Sequence, residues 1–309
     1  MPSIYPSQNR ENFPLLILLS HHRQTSSWDT SQNWTLSHPS VLNSPVPFTP
    51  SHPAIVLPLA RWGLPLSPLV IGSIMPDMLY FIYLNTGANF GHTIPGLFQF
   101  DLPVGILFFL LFNYFCRLPL VSLFPESHQA ALLNQKFSWS IPQLLLVPLC
   151  ILLGAWSHIL WDGITHVHPF TMRYMPFMAE PLFSISKWTI RPTNILQHLS
   201  TFLGGIYLLI SYRKWIAPKK SPQPELPVKL TKQTRRLLLL LAILIATFCG
   251  IQNATGPHWR LTDSIGILYF ARYFIVAWIS AILILLLLYS LAWQTRAVLV
   301  TQRQRLLKR

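Results

Sequence analysis

The sequence contains few charged residues for its length of 309. Charged side chains make up 10% of it, whereas soluble domains carry about 25%. Hydrophobic residues make up 51% of the chain, and the mean hydropathy is +0.42. This composition excludes an ordinary water-soluble globular domain and predicts an integral membrane protein.

Cysteine is also scarce. Cys116, Cys150 and Cys249 all lie within apolar runs, and the sequence has no Cys-x-x-Cys pair. Structural disulfides and cysteine-ligated zinc are therefore not expected, because isolated buried thiols usually serve only in packing.

Acidic residues are rare, with nine Asp and Glu against 23 Lys and Arg, which gives a formal net charge of +14. The basic residues cluster in segments 213–236 and 296–309, without the interleaved aromatic residues of a nucleic-acid groove. Such clusters are typical of the cytoplasmic loops of membrane proteins. We expect no nucleic-acid partner and a cytoplasmic C-terminus.

Residues 1–45 differ from the rest because they are rich in Ser, Asn, Thr, Gln and His. Their one apolar run, Phe13–Leu19, is too short to cross a bilayer and is a poor signal-peptide core. We expect this region to be disordered, or to be an untranslated extension if Val46 is an alternative initiation position.

The apolar runs predict an all-α, polytopic membrane helical bundle with about five transmembrane helices, since helices satisfy their own backbone groups in lipid. These helices are expected within Leu102–Phe124, Ile141–Trp161, Ile195–Tyr212, Leu237–Ala254 and Tyr273–Trp293.

A short helical hairpin is expected before these helices. Pro53–Trp62 and Leu66–Met75 are each about half the length of a span, and Gly63 and Pro65 separate them. The hairpin would bring His52 near Asp77. A single span over residues 64–84 is the alternative, and it would place these two residues on opposite sides of the membrane.

These features divide the chain into five parts. The membrane domain that carries the candidate site covers residues 46–215 and follows the N-terminal extension. A basic cytoplasmic loop over 216–236, two C-terminal transmembrane helices over 237–295 and a basic cytoplasmic tail over 296–309 complete the division.

The most informative pattern lies at the end of the apolar run that begins at Ile141. His158, Asp162 and His166 stand at i, i+4 and i+8, positions that share one face of a helix. Two imidazoles and a carboxylate on one stripe match the ligands of zinc or a similar divalent metal. Polar residues satisfied by water at a membrane boundary are the alternative interpretation.

Counting spans back from the basic loops places the other polar candidates on the same side of the membrane as the stripe, the outer side. The stripe and these candidates together include three of the five aspartates in the chain. His52, Asp77 and His92 join the stripe as metal-ligand candidates, although Asp77 could be a turn residue and His92 a surface histidine. Weaker candidates are Asp101, which could be a helix N-cap, His168 and His198.

A neutral imidazole and a carboxylate hold Zn²⁺, and Mn²⁺ or Fe²⁺ are also possible. An ion with an open position lowers the pKa of a bound water toward about 7 and so makes hydroxide accessible at neutral pH. One hypothesis is a metal-dependent hydrolase acting on a phosphoester of a membrane lipid or lipid-linked substrate. A non-catalytic protein with a structural metal, or with a transport or proton path, is the other. The sequence does not indicate an oligomeric state.

Four motifs resemble a bacterial integral-membrane family, domain of unknown function 4184. They are Val46-Pro-Phe-Thr-Pro-Ser-His-Pro-Ala-Ile-Val-Leu-Pro58, Ile71-Gly-Ser-Ile-Met-Pro-Asp77, Gly91-His-Thr-Ile-Pro-Gly-Leu97 and Ser157-His-Ile-Leu-Trp-Asp-Gly-Ile-Thr-His166. The resemblance covers residues 46–215 strongly and the last two spans loosely. It also implies a start at Val46 and a location in the bacterial inner membrane.

A more distant similarity is to the LexA-regulated inner-membrane family of metal-dependent hydrolases. Its pattern of an early His, a Pro-Asp, a loop His and a Ser-His-x-x-x-Asp corresponds here to His52, Pro76-Asp77, His92 and Ser157-His158-x-x-x-Asp162. This chain lacks a second acid and a histidine after Pro-Asp, and His-Arg-Gly before the loop histidine. The smaller ligand set gives less support to a two-metal site.

Overall fold

The structure is a computed structural model. It describes residues 51–84, 89–134, 137–167, 169–185, 188–216, 226–255 and 264–307. Across these ranges the regular secondary structure is helical except for one short β-hairpin, and the predicted all-α polytopic membrane fold is confirmed. The predictions for residues 1–45, Val46 and His168 fall outside the described residues.

The helices and strands are numbered in chain order. The first eight helices are α1 Pro53–Val56, α2 Leu66–Gly72, α3 Met78–Tyr83, α4 Ile94–Gly96, α5 Leu102–Leu110, α6 Arg117–Leu123, α7 Glu126–Asn134 and α8 Ile141–Thr165. The remaining elements are α9 Pro169–Tyr174, α10 Pro176–Ala179, β1 Phe183–Ile185, β2 Trp188–Ile190, α11 Pro192–Ile216, α12 Lys232–Ala254 and α13 Ser264–Leu307. The two strands pair antiparallel, with Ser184 opposite Thr189.

The N-terminal segment forms the predicted hairpin. Helix α1 continues as a 3₁₀ helix over Leu57–Trp62. Gly63 then adopts a φ of +86°, which glycine tolerates without the strain of a side chain, and the chain turns back toward α2. Both arms therefore run alongside the same neighbouring helix, α8.

The hairpin enters beside one end of α8 and returns to it. Val56 of the first arm and Leu69 of the second pack together with Cys150, near the middle of α8. The open end of the hairpin lies beside His158, because the Ser73 carbonyl reaches the ring of that histidine. His52 and Asp77 consequently lie at the same end of α8, as the hairpin interpretation requires.

The number of long apolar helices differs from the expectation of about five. Among the described residues, six helices are long and apolar enough to cross a membrane by length and composition. The additional one, Leu66–Tyr83, nearly coincides with the single span over residues 64–84 that was the alternative to the hairpin, and a 3₁₀ turn at Met75–Asp77 links α2 to α3 within it. Proline at position 76 does not end this helical segment, since it occupies the start of the turn, where its missing N–H is not needed.

Helices α4, α5 and α6 form one continuous apolar helix, Ile94–Leu123. Two π-helical segments, Leu97–Asp101 and Leu111–Cys116, join them. Such segments shift the side chains that follow around the helix and are frequent at functional sites. The first of them ends at Asp101.

Helices α2 and α8 pack closely where they cross, and this contact sets the position of α2 along α8. A Cβ at Gly72 would lie 2.7 Å from the Ile151 Cα, and one at Gly154 would lie 2.6 Å from the Ser73 backbone nitrogen. Small residues allow this approach between membrane helices, where backbone contact replaces side-chain packing. Because His158 lies one turn after Gly154, the crossing fixes where its ring meets the first hairpin.

The C-terminal helices α12 and α13 form an antiparallel pair. The side-chain amide of Asn253 donates to the carbonyl of Tyr273 at 3.2 Å, near their connection. The hydroxyl of Ser280 donates to the Phe81 carbonyl at 2.8 Å and so links α13 to α3. Helix α13 is 44 residues long, roughly 66 Å, and is therefore longer than a bilayer is thick.

Candidate metal centre

Helix α8 supplies two of the clustered side chains, His158 and Asp162, one turn apart. His158 is fully buried, and Asp162 is 14% exposed. The Nδ1 of His158 lies 2.8 Å from the Ser73 carbonyl oxygen. A carbonyl can only accept, so Nδ1 donates the hydrogen bond. In the neutral ring this leaves Nε2 unprotonated and available as a metal ligand.

The second carboxylate comes from Asp77, at the end of the 3₁₀ turn that follows α2. Its side chain is fully buried. Its Oδ1 lies 3.5 Å from His158 Nε2, while the Oδ2 of Asp162 lies 3.3 Å from the same nitrogen. Two carboxylate oxygens and one imidazole nitrogen therefore converge on a small buried volume.

The loop that carries His92 closes the cluster. Nε2 of His92 lies 3.2 Å from Asp77 Oδ1 and 3.5 Å from Asp162 Oδ2. The ring of Tyr80 stacks against His92, with ring centroids 5.7 Å apart, and its hydroxyl donates to the Asn89 side chain at 3.0 Å. The stacking and the hydrogen bond hold the loop histidine over the two carboxylates.

Glycine is required where this loop meets the Asp77 turn. A Cβ at Gly91 would lie 2.6 Å from the Pro76 carbonyl oxygen and 3.1 Å from Oδ1 of Asp101. After the histidine, the hydroxyl of Thr93 accepts a hydrogen bond from the Gly96 backbone N–H at 3.0 Å, which caps the next helix. The sequence Gly91-His92-Thr93 thus positions the imidazole through its neighbours' backbone contacts.

Asp77, His92, His158 and Asp162 each offer one ligand atom, and these four atoms all lie within 4.8 Å of one another. The cluster could hold a metal ion. Neutral His158 would point a lone pair at two carboxylate oxygens, and this arrangement needs a cation or a proton between the acceptors. A divalent ion would also neutralise the carboxylates of Asp77 and Asp162. Without a metal, protonated histidines would have to balance these negative charges.

His52 lies against this cluster without belonging to the group of four. Its ring stacks on His158 with centroids 3.8 Å apart, and its Nε2 lies 3.6 Å from Asp162 Oδ1. Burial and the neighbouring His158 lower the pKa of His52 to about 4, although Asp162 and Asp77 act in the opposite direction. His52 is therefore neutral near pH 7 and could accept a hydrogen bond or a metal.

His92 has the opposite electrostatic balance. Burial disfavours its charged form, but hydrogen bonds to Asp162 and Asp77 outweigh that effect and raise the pKa of His92 to about 9. The metal-free cluster therefore binds a proton at this position near neutral pH. A metal ion would have to displace that proton.

A family model described as Domain of unknown function (DUF4184) matches residues 46–291. The chain belongs to this family. No curated protein and no solved structure matches the chain. For this DUF4184 protein, the match includes both hairpin arms and every member of the cluster.

Asp101 of the DUF4184 protein lies next to the cluster rather than in the group of four. Its side chain is fully buried, and its oxygens accept no hydrogen bond from the residues that the structure describes. The backbone at Asp101 is helical, and among those residues its side chain caps no helix. A Cβ added at Gly91 would lie 3.1 Å from its Oδ1, so Asp101 lies beside the loop that carries His92.

His166 does not continue the stripe predicted from its spacing. Helix α8 ends at Thr165, and His166 has an extended backbone with φ of −120° and ψ of 155°. Its Nδ1 lies 3.8 Å from Asp162 Oδ1, but its Nε2 lies 3.0 Å from the side-chain amide nitrogen of Gln197. Because the helix ends here, the His166 ring points away from the four ligand atoms and toward α11.

The remaining sequence candidate among the described residues is His198, which lies on an exposed face of α11. Its neighbour Gln197 is buried and contacts His166 instead. Sequence reasoning did not identify Tyr80, although its position three residues after Asp77 places it one helical turn away. It could not identify the Ser73 carbonyl, because a backbone group leaves no sequence signal.

Proposed function

We propose that this DUF4184 protein is a membrane-embedded, metal-dependent hydrolase that acts on a phosphoester of a lipid or lipid-linked substrate. One observation carries the proposal. The Nε2 atom of His158, which the Ser73 carbonyl leaves unprotonated in the neutral ring, faces carboxylate oxygens of Asp77 and Asp162 within 3.5 Å. This donor set suits a divalent cation.

Asp77, His92, His158 and Asp162 would hold one ion, for which two nitrogens and two oxygens favour zinc, with manganese or iron as alternatives. A bound ion of this kind lowers the pKa of a coordinated water and polarises a phosphoryl oxygen. In the reaction, water supplies the new oxygen on phosphorus, the bond from phosphorus to the lipid oxygen breaks, and a proton passes to that leaving oxygen.

The partial exposure of the cluster supports access by a substrate. Asp162 and His92 are 14% and 17% exposed, whereas Asp77 and His158 are closed off. A substrate would therefore approach from the side on which Asp162 and His92 lie. The distant resemblance to metal-dependent hydrolases agrees with this chemistry by analogy only.

The first experiment measures metal in the full chain purified in detergent, by elemental mass spectrometry. We expect about one equivalent of zinc in the wild type, and its loss in His158→Ala and in Asp162→Ala. His198→Ala, an exposed histidine outside the cluster, is the matched control and should keep the metal. Wild-type protein that takes up no zinc, manganese or iron would overturn the metal site.

The second experiment tests hydrolysis. Zinc-loaded protein is incubated with phosphatidic acid and with a polyprenyl phosphate in mixed micelles, and released inorganic phosphate is measured. We expect release that depends on added metal and is absent in Asp162→Ala. Metal binding without hydrolysis across a broad panel of phosphoester lipids would reject the enzymatic part of the proposal.

A structural metal is the second candidate function, and the complete burial of Asp77 and His158 favours it. Structural zinc sites have all coordination positions filled by protein, while catalytic sites keep one open. In that case chelation would lower the thermal midpoint strongly, while no lipid would be hydrolysed.

We further propose that the protein lies in the bacterial inner membrane with the cluster on the outer face and the C-terminus in the cytoplasm. The support is the positive charge in segments 213–236 and 296–309. A reporter fusion at residue 180 tests this orientation. Periplasmic activity is expected, and cytoplasmic activity would place the cluster on the inner face.

A further inference from the structure

A cavity of about 320 Å³ lies between the first hairpin arm, α8 and α11. It is large enough for a small ligand, since such sites span about 300–1,000 Å³. Apolar atoms form most of its wall, with Ala54 and Ile55 on one side and Leu199 and Leu203 on the other. We call this cavity the α1–α11 groove.

The groove lies between helices that are long and apolar enough to cross a membrane. Both α8 and α11 have this character, and only 6% of the most apolar 18-residue stretch of α11 is buried inside the protein. Leu199 and Leu203 are about half exposed. In a membrane these side chains face hydrocarbon, so the chain of a lipid is the chemically matched occupant.

The groove is continuous with the cluster through His52. This histidine lines the groove, stacks on His158 and lies 3.6 Å from Asp162. Trp161, the residue before Asp162, also lines the groove. A hydrocarbon chain in the groove would therefore have its polar end beside the two α8 residues of the cluster.

Glycine defines one edge of the groove. A Cβ at Gly204 would lie 3.3 Å from the Cβ of Ser51 and 3.5 Å from that of Ala54, so α11 closes against α1 there. At the next residue, Gly205, a Cβ would meet nothing within 4 Å among the described residues. Gly205 consequently offers a position on the same helix where a large side chain leaves the groove unchanged.

We propose that the α1–α11 groove binds one hydrocarbon chain of the substrate lipid and so presents the lipid's phosphoester to the cluster at His52 and Asp162. This inference rests on the proposed function. It adds the substrate's chain as the group recognised and names the surface that recognises it.

The test uses the full chain in detergent with a substoichiometric phosphatidylethanolamine that carries a diazirine in one acyl chain. After irradiation, peptide mass spectrometry locates the attachment. We expect attachment within residues 54–55 and 196–204. Excess unlabelled phosphatidylethanolamine should abolish this attachment. Glycerophosphoethanolamine, which has the same headgroup but no hydrocarbon chains, should leave it intact. Ser200→Trp, which fills the groove, should lose the attachment, and Gly205→Trp should keep it.

Metal content is measured on the same samples so that the two proposals fail separately. Ser200→Trp with metal retained and attachment lost supports the groove. Attachment spread over all apolar helices, or equal in Ser200→Trp and Gly205→Trp, overturns the groove inference whatever the metal content. Specific attachment in a protein that binds no metal would retain the groove as a lipid site and reject the hydrolase.

Discussion

The imidazole of His52 lies nearly parallel to that of His158, with ring centroids 3.8 Å apart and an interplanar angle of 14°. This contact joins the entrance of the N-terminal hairpin to α8, across more than a hundred residues of sequence. It also joins the α1–α11 groove to the cluster, because His52 borders both.

The variant His52→Phe separates two roles of the His52 ring, stacking on His158 and binding a metal ion. Phenylalanine retains a planar ring for stacking but removes the Nε2 that lies near Asp162. Since His52 is outside the group of four, we expect one equivalent of zinc to remain, with affinity reduced by about tenfold or less. Competition with a fluorescent chelator measures the affinity. Complete loss of zinc in a folded protein would make His52 a ligand.

Asp101→Asn tests the buried carboxyl beside the loop that carries His92. If the carboxylate acts on the cluster through its charge, its neutral analogue should weaken zinc binding. The loss should be smaller than the roughly 10–100-fold seen when a hydrogen-bonded partner of a metal ligand is removed, because Asp101 accepts no hydrogen bond from the described residues. Chelator competition again gives the value. Unchanged zinc affinity together with a higher thermal midpoint would mean that Asp101 is only a buried, unfavourable charge.

Gly91→Ala tests the loop that carries His92. The added Cβ would lie 2.6 Å from the Pro76 carbonyl, closer than real Cβ atoms approach, so the loop must move away from Asp77. We expect weaker zinc binding and a lower thermal midpoint. Gly163→Ala, whose Cβ would meet its nearest neighbour at an ordinary 3.8 Å, is the control. Equal behaviour of both variants would contradict the described loop position.

Gly72→Ala tests the crossing of α2 and α8. Its Cβ would lie 2.7 Å from the Ile151 Cα, and overpacking of this kind typically costs about 1–3 kcal/mol. We expect a lower thermal midpoint in detergent, while Gly205→Ala, at an open position inside a helix, should not lower it. A wild-type midpoint in Gly72→Ala would show that the helices do not approach as closely as described.

Metal removal provides a prediction on stability. A ligand that binds only the folded state stabilises it by about 2.7 kcal/mol at a concentration 100 times its dissociation constant. Zinc should therefore raise the thermal midpoint of chelator-treated wild type and of His198→Ala, but not of His158→Ala. A zinc-induced rise in His158→Ala equal to that of the wild type would locate the binding elsewhere.

The apolar runs and the scarcity of charge determined the membrane class and the all-helical fold, because lipid leaves the backbone no partners except its own. The same reasoning separated Pro53–Trp62 from the residues after Gly63 as a hairpin. It left a single span over residues 64–84 as the alternative to the hairpin. The structure combines the two, because Gly63 reverses the chain while Leu66–Tyr83 is of spanning length.

For the candidate site, helical spacing alone paired His158 with Asp162, and residue chemistry selected Asp77, His92 and His52 from distant segments. Only the tertiary structure decided that one ligand atom from each of four residues lies within 4.8 Å of the others, and that His166 turns toward Gln197. The reason is physical. Spacing along one helix is local and periodic, whereas the Gly72–Gly154 crossing, the Gly91 approach and the Ser73 carbonyl are long-range backbone contacts that residue types do not encode.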